Sequence, residues 1–214
     1  MGGPDYYPVS LDVRGRPVLV VGGGTVAARK ASGLLECGAT VTVVAPDIGP
    51  AMDELAALLS IERRAYASGE AAGYRLVLTA TGRPEVDAAV ARDAEAAGVW
   101  VNSADDRDNC TFILPSVHRD GAVSVAVSTG GTSPALASWL RRQVAHDLGE
   151  GLGPLAELLG LARQRVQSAG VSTETIDWPA LLDGPFPALV AAGRMAEARA
   201  LLEAAIGLPL EVAP

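Results

Sequence analysis

An apolar run, Pro17, Val18, Leu19, Val20 and Val21, ends in three consecutive glycines, Gly22, Gly23 and Gly24, and a helical pattern starts at once over residues 25–37. A buried strand that turns through glycine directly into a helix has few folds open to it. Gly38 stands where a helix C-terminal cap would, and residues 39–45 (ATVTVVA) read as a second buried strand. The product is a strand, helix, strand unit of about 30 residues, whose two strands must run parallel because a helix crosses over between them.

The same alternation continues. A helix is expected over 48–59, a weaker strand over 61–65, a continuous apolar strand over 74–80 (YRLVLTA), an amphipathic helix over 84–97 stopped by Gly98, and a short strand over 99–101 leading to Asn102. Near-continuous apolar strands between helices require a parallel sheet covered on both faces. The expected fold class is therefore α/β, with a doubly wound, Rossmann-type sheet in the first half. After Asp108 the texture changes: residues 111–114 and 123–127 (VSVAV) read as strands that can pair antiparallel through the turn residues of 115–121. Ser133 then caps a helix over 133–148 with Pro134 in its first turn. A glycine-rich hinge over 149–154 precedes four short helices at 155–168, 178–182, 186–192 and 195–205. These boundaries give a sheet domain over 1–113, an extension with short strands and a helix over 114–148, and a small helical domain over 149–214.

Gly22, Gly24 and Ala27 match the spacing GxGxxA. The first small residue permits the tight turn, the second lets backbone approach a pyrophosphate, and the third lets helix and sheet pack closely. A plain glycine turn without ligand would need the same residues less strictly. The strand before the motif and the helix after it favour a dinucleotide held by Gly22, Gly23, Gly24, Thr25 and Val26. In such units the second strand usually ends in an acidic residue for the ribose hydroxyls, yet here Ala45 and Pro46 end it and Asp47 comes two residues late. No Arg or Lys stands there for an extra phosphate, so NAD is expected, with Pro46 and Asp47 near the adenosine. Asp47 also reads as a helix cap before Ile48.

A net charge of -8 argues against sequence-independent nucleic-acid binding. Two cysteines without CxxC spacing fit a reducing cytoplasm, and neither a signal-like start nor about 18 unbroken apolar residues is present, so no membrane is expected as partner. His118 and His146 lack partners at ligand spacing, and no resident metal is expected.

Three segments together resemble a known family: residues 22–46 (GGGTVAARKASGLLECGATVTVVAP), 102–105, and 128–134 (STGGTSP). They look like the precorrin-2 dehydrogenase / sirohydrochlorin ferrochelatase family, which includes the amino-terminal module of bacterial siroheme synthase. The resemblance covers about residues 6–165 and weakens after Ser168. It implies a homodimer, with the dimerisation region in 114–148 and a helical carboxy-terminal part. It also implies oxidation of precorrin-2 to sirohydrochlorin, in which NAD takes a hydride and a base takes a proton. Some members then insert ferrous iron, so that ferrous or cobaltous ion would be a second substrate.

The family's critical aspartate follows an Asn-x-x motif, which implies a catalytic role for Asp105. On residues alone, Asp105, Asp106, Arg107 and Asp108 read as a solvated turn. The resemblance likewise implies that Asn102, Ser128, Thr129, Gly130, Gly131, Thr132 and Ser133 bind the tetrapyrrole, the last four with backbone NH groups suited to a carboxylate arm. At Thr129 a related bacterial enzyme carries a serine held to be phosphorylated; threonine replaces it here. A substrate with eight carboxylates calls for cations, and Arg29, Lys30, Arg107, Arg119, Arg141 and Arg142 are the candidates. Two other readings stand beside this one. The glycine loop alone would serve a nucleotide-sensing regulatory module, and the fold would equally serve a dehydrogenase of another small substrate.

Overall fold

The computed structural model describes residues 6–104 and 106–210. Strand β1 (Pro17–Val21) lies at the centre of a five-stranded parallel sheet, between β2 (Thr40–Val44) and β4 (Leu76–Thr79). Beyond β2 lies β3 (Ser60–Glu62), and beyond β4 lies β5 (Trp100–Ser103), so the order is β3-β2-β1-β4-β5. Helix α1 (Thr25–Glu36) packs Ala27, Ala28 and Ala31 on one face of the sheet, against Val18, Val20, Leu76 and Leu78. On the other face α3 (Pro84–Ala96) packs Val90, Ala91 and Ala94 against Leu19, Val21, Val77 and Val101. Both strand faces are dry, which is why β1 is apolar at every position from Val18 onward. Each fully buried Val or Leu contributes about 1.5–3 kcal/mol.

Three local expectations are corrected. The helix anticipated over 48–59 is only one turn, α2 (Pro50–Asp53). Gly49 caps it, not Asp47, and beyond it Ala56 N bonds Asp53 O and Leu58 N bonds Leu55 O, a three-residue spacing that tightens the chain into turns. The strand anticipated over 111–114 does not form. Thr111 instead ties back to β5, its N–H bonding Val101 O at 2.9 Å while its hydroxyl accepts the Val101 N–H at 2.8 Å. The hairpin begins after Pro115, with β6 (Ser116–Asp120) antiparallel to β7 (Val123–Val127). Its two-residue turn has Gly121 at φ +54, and Ala122 has a negative φ, the combination that suits right-twisted strands. The hinge over 149–154 is shorter than anticipated, because α5 (Leu152–Ser168) starts inside it with Pro154 in its first turn.

The chain divides into two compact units. One runs through Leu114 and includes Gly130–Thr132; the other comprises Pro115–Thr129 and the chain from Ser133 onward. The second unit holds the hairpin, α4 (Pro134–Leu148), α5, α6 (Trp178–Asp183), α7 (Phe186–Ala191) and α8 (Met195–Ile206). Its core gathers Phe186, Leu202, Ala162, Val166 and Ala198, all fully buried. Truncating Phe186→Ala should cost about 3–5 kcal/mol in urea unfolding followed by circular dichroism, since the ring leaves a cavity at the meeting of three helices. A loss under about 1 kcal/mol would show that this core is not close-packed.

Candidate dinucleotide and substrate site

The strand order reverses direction between β1 and β4, so the chain leaves the carboxyl ends of these two strands toward opposite faces. In open parallel sheets that divergence opens the ligand crevice. The glycine turn after Val21, Pro46 after β2, Thr81 after β4 and Ala104 after β5 all lie along this edge.

The three glycines stand in different surroundings. Gly22 has φ +126, and a Cβ there would stand 2.4 Å from Ala80 O. At Gly23 a Cβ would stand 2.0 Å from Asp47 O, because the 47–49 segment lies directly on the loop and Gly49 N–H bonds Gly23 O at 2.9 Å. Gly24 is the exception: its φ of -84 suits any residue, and a Cβ would meet nothing within 4 Å. Nothing inside the protein demands glycine there, so the clearance is free for a ligand. It sits at the start of α1, where no side chain caps the helix and the first turn holds no acidic residue. Exposed N–H groups and the positive helix end there suit a pyrophosphate, and the residues fit the cofactor anticipated. Ala27 is fully buried against the sheet, as the third small position requires. Thr25, Val26, Pro46 and Asp47 are exposed around the loop.

The sequence pattern did not single out the loop that follows β4. There Thr79 is fully buried and donates its hydroxyl to Asp87 of α3, which also accepts the Thr81 hydroxyl at 2.9 Å and the Thr81 N–H at 3.3 Å. One carboxylate thereby holds the chain beside the glycine turn. A Thr-x-Thr followed by a carboxylate one turn into the next helix was the available signal.

Asn102 lies on β5, two strands from β1, about 10 Å at the usual strand spacing. Its side chain faces α1 and is 6% exposed. Its Oδ1 accepts from Lys30 Nζ at 2.6 Å, and its Nδ2 donates to Phe112 O at 3.0 Å and toward Cys110 Sγ at 3.6 Å. Cys110 Sγ accepts the Ser103 N–H at 3.1 Å, and burial pushes its thiol pKa up. Asp105 lies outside the described residues. Arg107 donates from Nε to Tyr6 OH at 3.1 Å, with its guanidinium 5.4 Å from the ring centroid. Gly131 passes close to that same side chain.

In the STGGTSP segment Gly130 and Gly131 have φ +61 and +79, so both need glycine. Thr129 Oγ1 accepts the Ser133 N–H at 3.0 Å and donates to Ser133 O, which closes the turn. Ser133 Oγ accepts the Leu136 N–H at 3.2 Å and caps α4, as its position implied. Gly130–Thr132 belong to the first unit, while Ser128, Thr129 and Ser133 belong to the second with Arg119, Arg141 and Arg142. Arg29 is exposed on α1, in the first unit with Lys30. Among the described residues no three His, Cys, Asp or Glu group to hold a metal, and no helix is long and apolar enough to cross a membrane.

A cavity of about 370 Å³ lies at the other end of the sheet, lined by Val13, Arg16, Arg75 and Trp100 among others. It faces the amino ends of the strands, away from the glycine turn. Strand direction locates the ligand edge better than volume does, since the helix N-terminus and the glycine clearance both lie at the carboxyl end.

A family model described as putative NAD(P)-binding matches residues 9–116, which is 108 of the 214. This chain belongs to that family. Models described as the sirohaem biosynthesis protein central region and the sirohaem synthase dimerisation region follow in order at 120–146 and 151–206. The dimerisation description thus falls on the region of α5 to α8, whereas the sequence reading attached that role to 114–148. The chain is 40% identical over 206 residues to a siroheme synthase of Methylococcus capsulatus, covering 94% of this chain and 44% of that protein. It is 43% identical over 166 residues to siroheme synthase 3 of Aeromonas hydrophila, covering 77% and 36%. It therefore spans less than half the length of these relatives. Among solved structures, SirC, a precorrin-2 dehydrogenase, superposes with a TM-score of 0.74 at 27% identity, covering 94% of this chain and 99% of that one. The family resemblance drawn from the three sequence segments holds.

Two glycine variants separate fold from ligand. Gly24→Ala should leave unfolding stability within about 0.5 kcal/mol of the parent, because its Cβ is unobstructed, yet weaken NAD binding by about tenfold or more in titration calorimetry. Gly23→Ala should lose stability and binding together. Unchanged NAD affinity in Gly24→Ala would remove the cofactor from this loop.

Proposed function

We propose that this chain is a precorrin-2 dehydrogenase, which uses NAD to oxidise precorrin-2 to sirohydrochlorin in siroheme biosynthesis. The observation that carries the reading is the unobstructed Gly24 at the bare start of α1, two strands from the Asn102 edge. The family membership and the SirC likeness over nearly its whole length support it.

In this reading backbone N–H groups from Gly23 to Val26 hold the pyrophosphate over the turn that Gly22 opens, and Pro46 and Asp47 lie at the adenosine. Bound NAD supplies the hydride acceptor. The family likeness assigns the macrocycle to Asn102, Ser128, Thr129, Gly130, Gly131, Thr132 and Ser133, whose backbone N–H groups are of the kind that takes a carboxylate arm. Asp105 takes the proton left when the hydride departs, so that two electrons and one proton leave as hydride and the second proton passes to the carboxylate. Any subsequent metal insertion would take ferrous or cobaltous ion as substrate, with the macrocycle nitrogens as its ligands and Asp105 again accepting protons. The enzyme acts in the cytoplasm as a homodimer, with the sheet domain over 1–113 binding cofactor and the segments 114–148 and 149–214 supporting pairing.

The test is anaerobic incubation with precorrin-2 and NAD, following sirohydrochlorin absorbance, then addition of ferrous or cobaltous ion. Asp105→Ala should lower the oxidation rate by about 10²-fold or more while the fold and NAD affinity persist. Full activity in that variant would remove Asp105 from the mechanism. Tight NAD binding by the parent protein without any reduction would replace the enzyme with a nucleotide sensor.

A further inference from the structure

A lysine on a helix usually keeps its ammonium in water. Lys30 on α1 instead brings Nζ to 2.6 Å from the Oδ1 of the buried Asn102. That contact fixes the amide, because with Oδ1 held by the ammonium, Nδ2 must face the other way, toward Phe112 O and Cys110 Sγ. The sulfur is a second junction: it accepts the Ser103 N–H at 3.1 Å and lies 3.3 Å from Ser103 O and 3.2 Å from Asp106 O. Ser103 precedes Asp105 and Asp106 follows it, so one thiol gathers backbone from both sides of the segment that carries this aspartate. The contacts to the two carbonyls need the S–H as donor, and burial favours that neutral form.

We propose that Lys30 is a positioning residue for the oxidation, which acts through Asn102 and Cys110 to hold the backbone of Ser103 and Asp106 in place. The consequence for turnover rests on the dehydrogenase reading above; the clamp itself does not. Without the ammonium, Asn102 Oδ1 is a buried acceptor deprived of its charged donor, and the amide is free to rotate away from Phe112 and Cys110. Displacing the backbone at Ser103 and Asp106 by about 1 Å is enough to slow a step that depends on the placement of a base. The cofactor loop, at the other end of α1's first turns, keeps its own hydrogen bonds and is unaffected.

Lys30→Met and Lys30→Arg should be compared in a Cys37→Ser background, with precorrin-2 oxidation, NAD affinity and the rate of Cys110 alkylation as readouts. In Lys30→Met, kcat should fall about tenfold or more with NAD affinity within about twofold, and Cys110 should alkylate several times faster. Lys30→Arg, which keeps a charged donor, should recover much of both. Parent-like kcat and labelling in Lys30→Met overturn the proposal, as does a parallel loss of NAD affinity and melting temperature without rescue by Arg. Should Lys30→Met not fold, the parent protein decides: Cys110 must alkylate at least about tenfold more slowly folded than in urea, and equal rates overturn the clamp. If the parent shows no oxidation at all, the dehydrogenase reading fails while the labelling rates still judge the clamp.

Discussion

The contact on which the binding edge depends is the backbone of the 47–49 segment lying against the glycine turn. Gly22 N–H bonds Val44 O at 3.0 Å, Gly49 N–H bonds Gly23 O at 2.9 Å, and the space left between Gly23 and Asp47 O admits only hydrogen. The turn after β1 is thereby fastened to the chain leaving β2. Three glycines in a row would otherwise be the most mobile part of the sheet. Fastened, they present a fixed row of N–H groups, and α1 begins with its first turn already aimed at the crevice.

The electrostatic design follows from that rigidity. The protein carries a net charge of -8, yet both molecules proposed for it bear negative groups, a pyrophosphate on one and carboxylates on the other. Fixed dipoles at the start of α1 suit such groups. The first turn of α1 is free of acidic residues, and left-handed glycines open the 130–131 turn. Lys30, the one lysine of the sequence, bonds Asn102, and Arg107 is engaged with Tyr6. Oriented backbone costs no reorganisation when a ligand arrives, whereas a long side chain must be immobilised.

The parts legible in the sequence were those governed by local pattern: the apolar strands, the glycine turn, the Ser133 cap and the crossover helices. Errors arose where a longer-range partner decides the local outcome. The 48–59 segment has helical periodicity, but residues 47–49 lie on Gly23 and the helix can start only at Pro50, so that one helical turn survives. Thr111 has strand propensity, yet its hydroxyl and N–H go to Val101, which no periodicity could indicate. Lys30 appeared in the sequence only as one cation among six, and Asp87 not at all. Their roles come from partners 72 and 8 residues away. The role of Asp105 rests on family likeness.

In the second unit the turn of the β6–β7 hairpin meets the start of α5 at a pair of glycines. A Cβ on Gly121 would stand 2.9 Å from the Gly153 Cα, and one on Gly153 would stand 2.7 Å from Asp120 Oδ1 and 3.1 Å from its backbone. Neither position can acquire a side chain without parting the two elements. The hairpin is thus no independent cassette: a transplant of residues 116–127 into another scaffold would have to bring its glycine-bearing helix start along, or find one already in place.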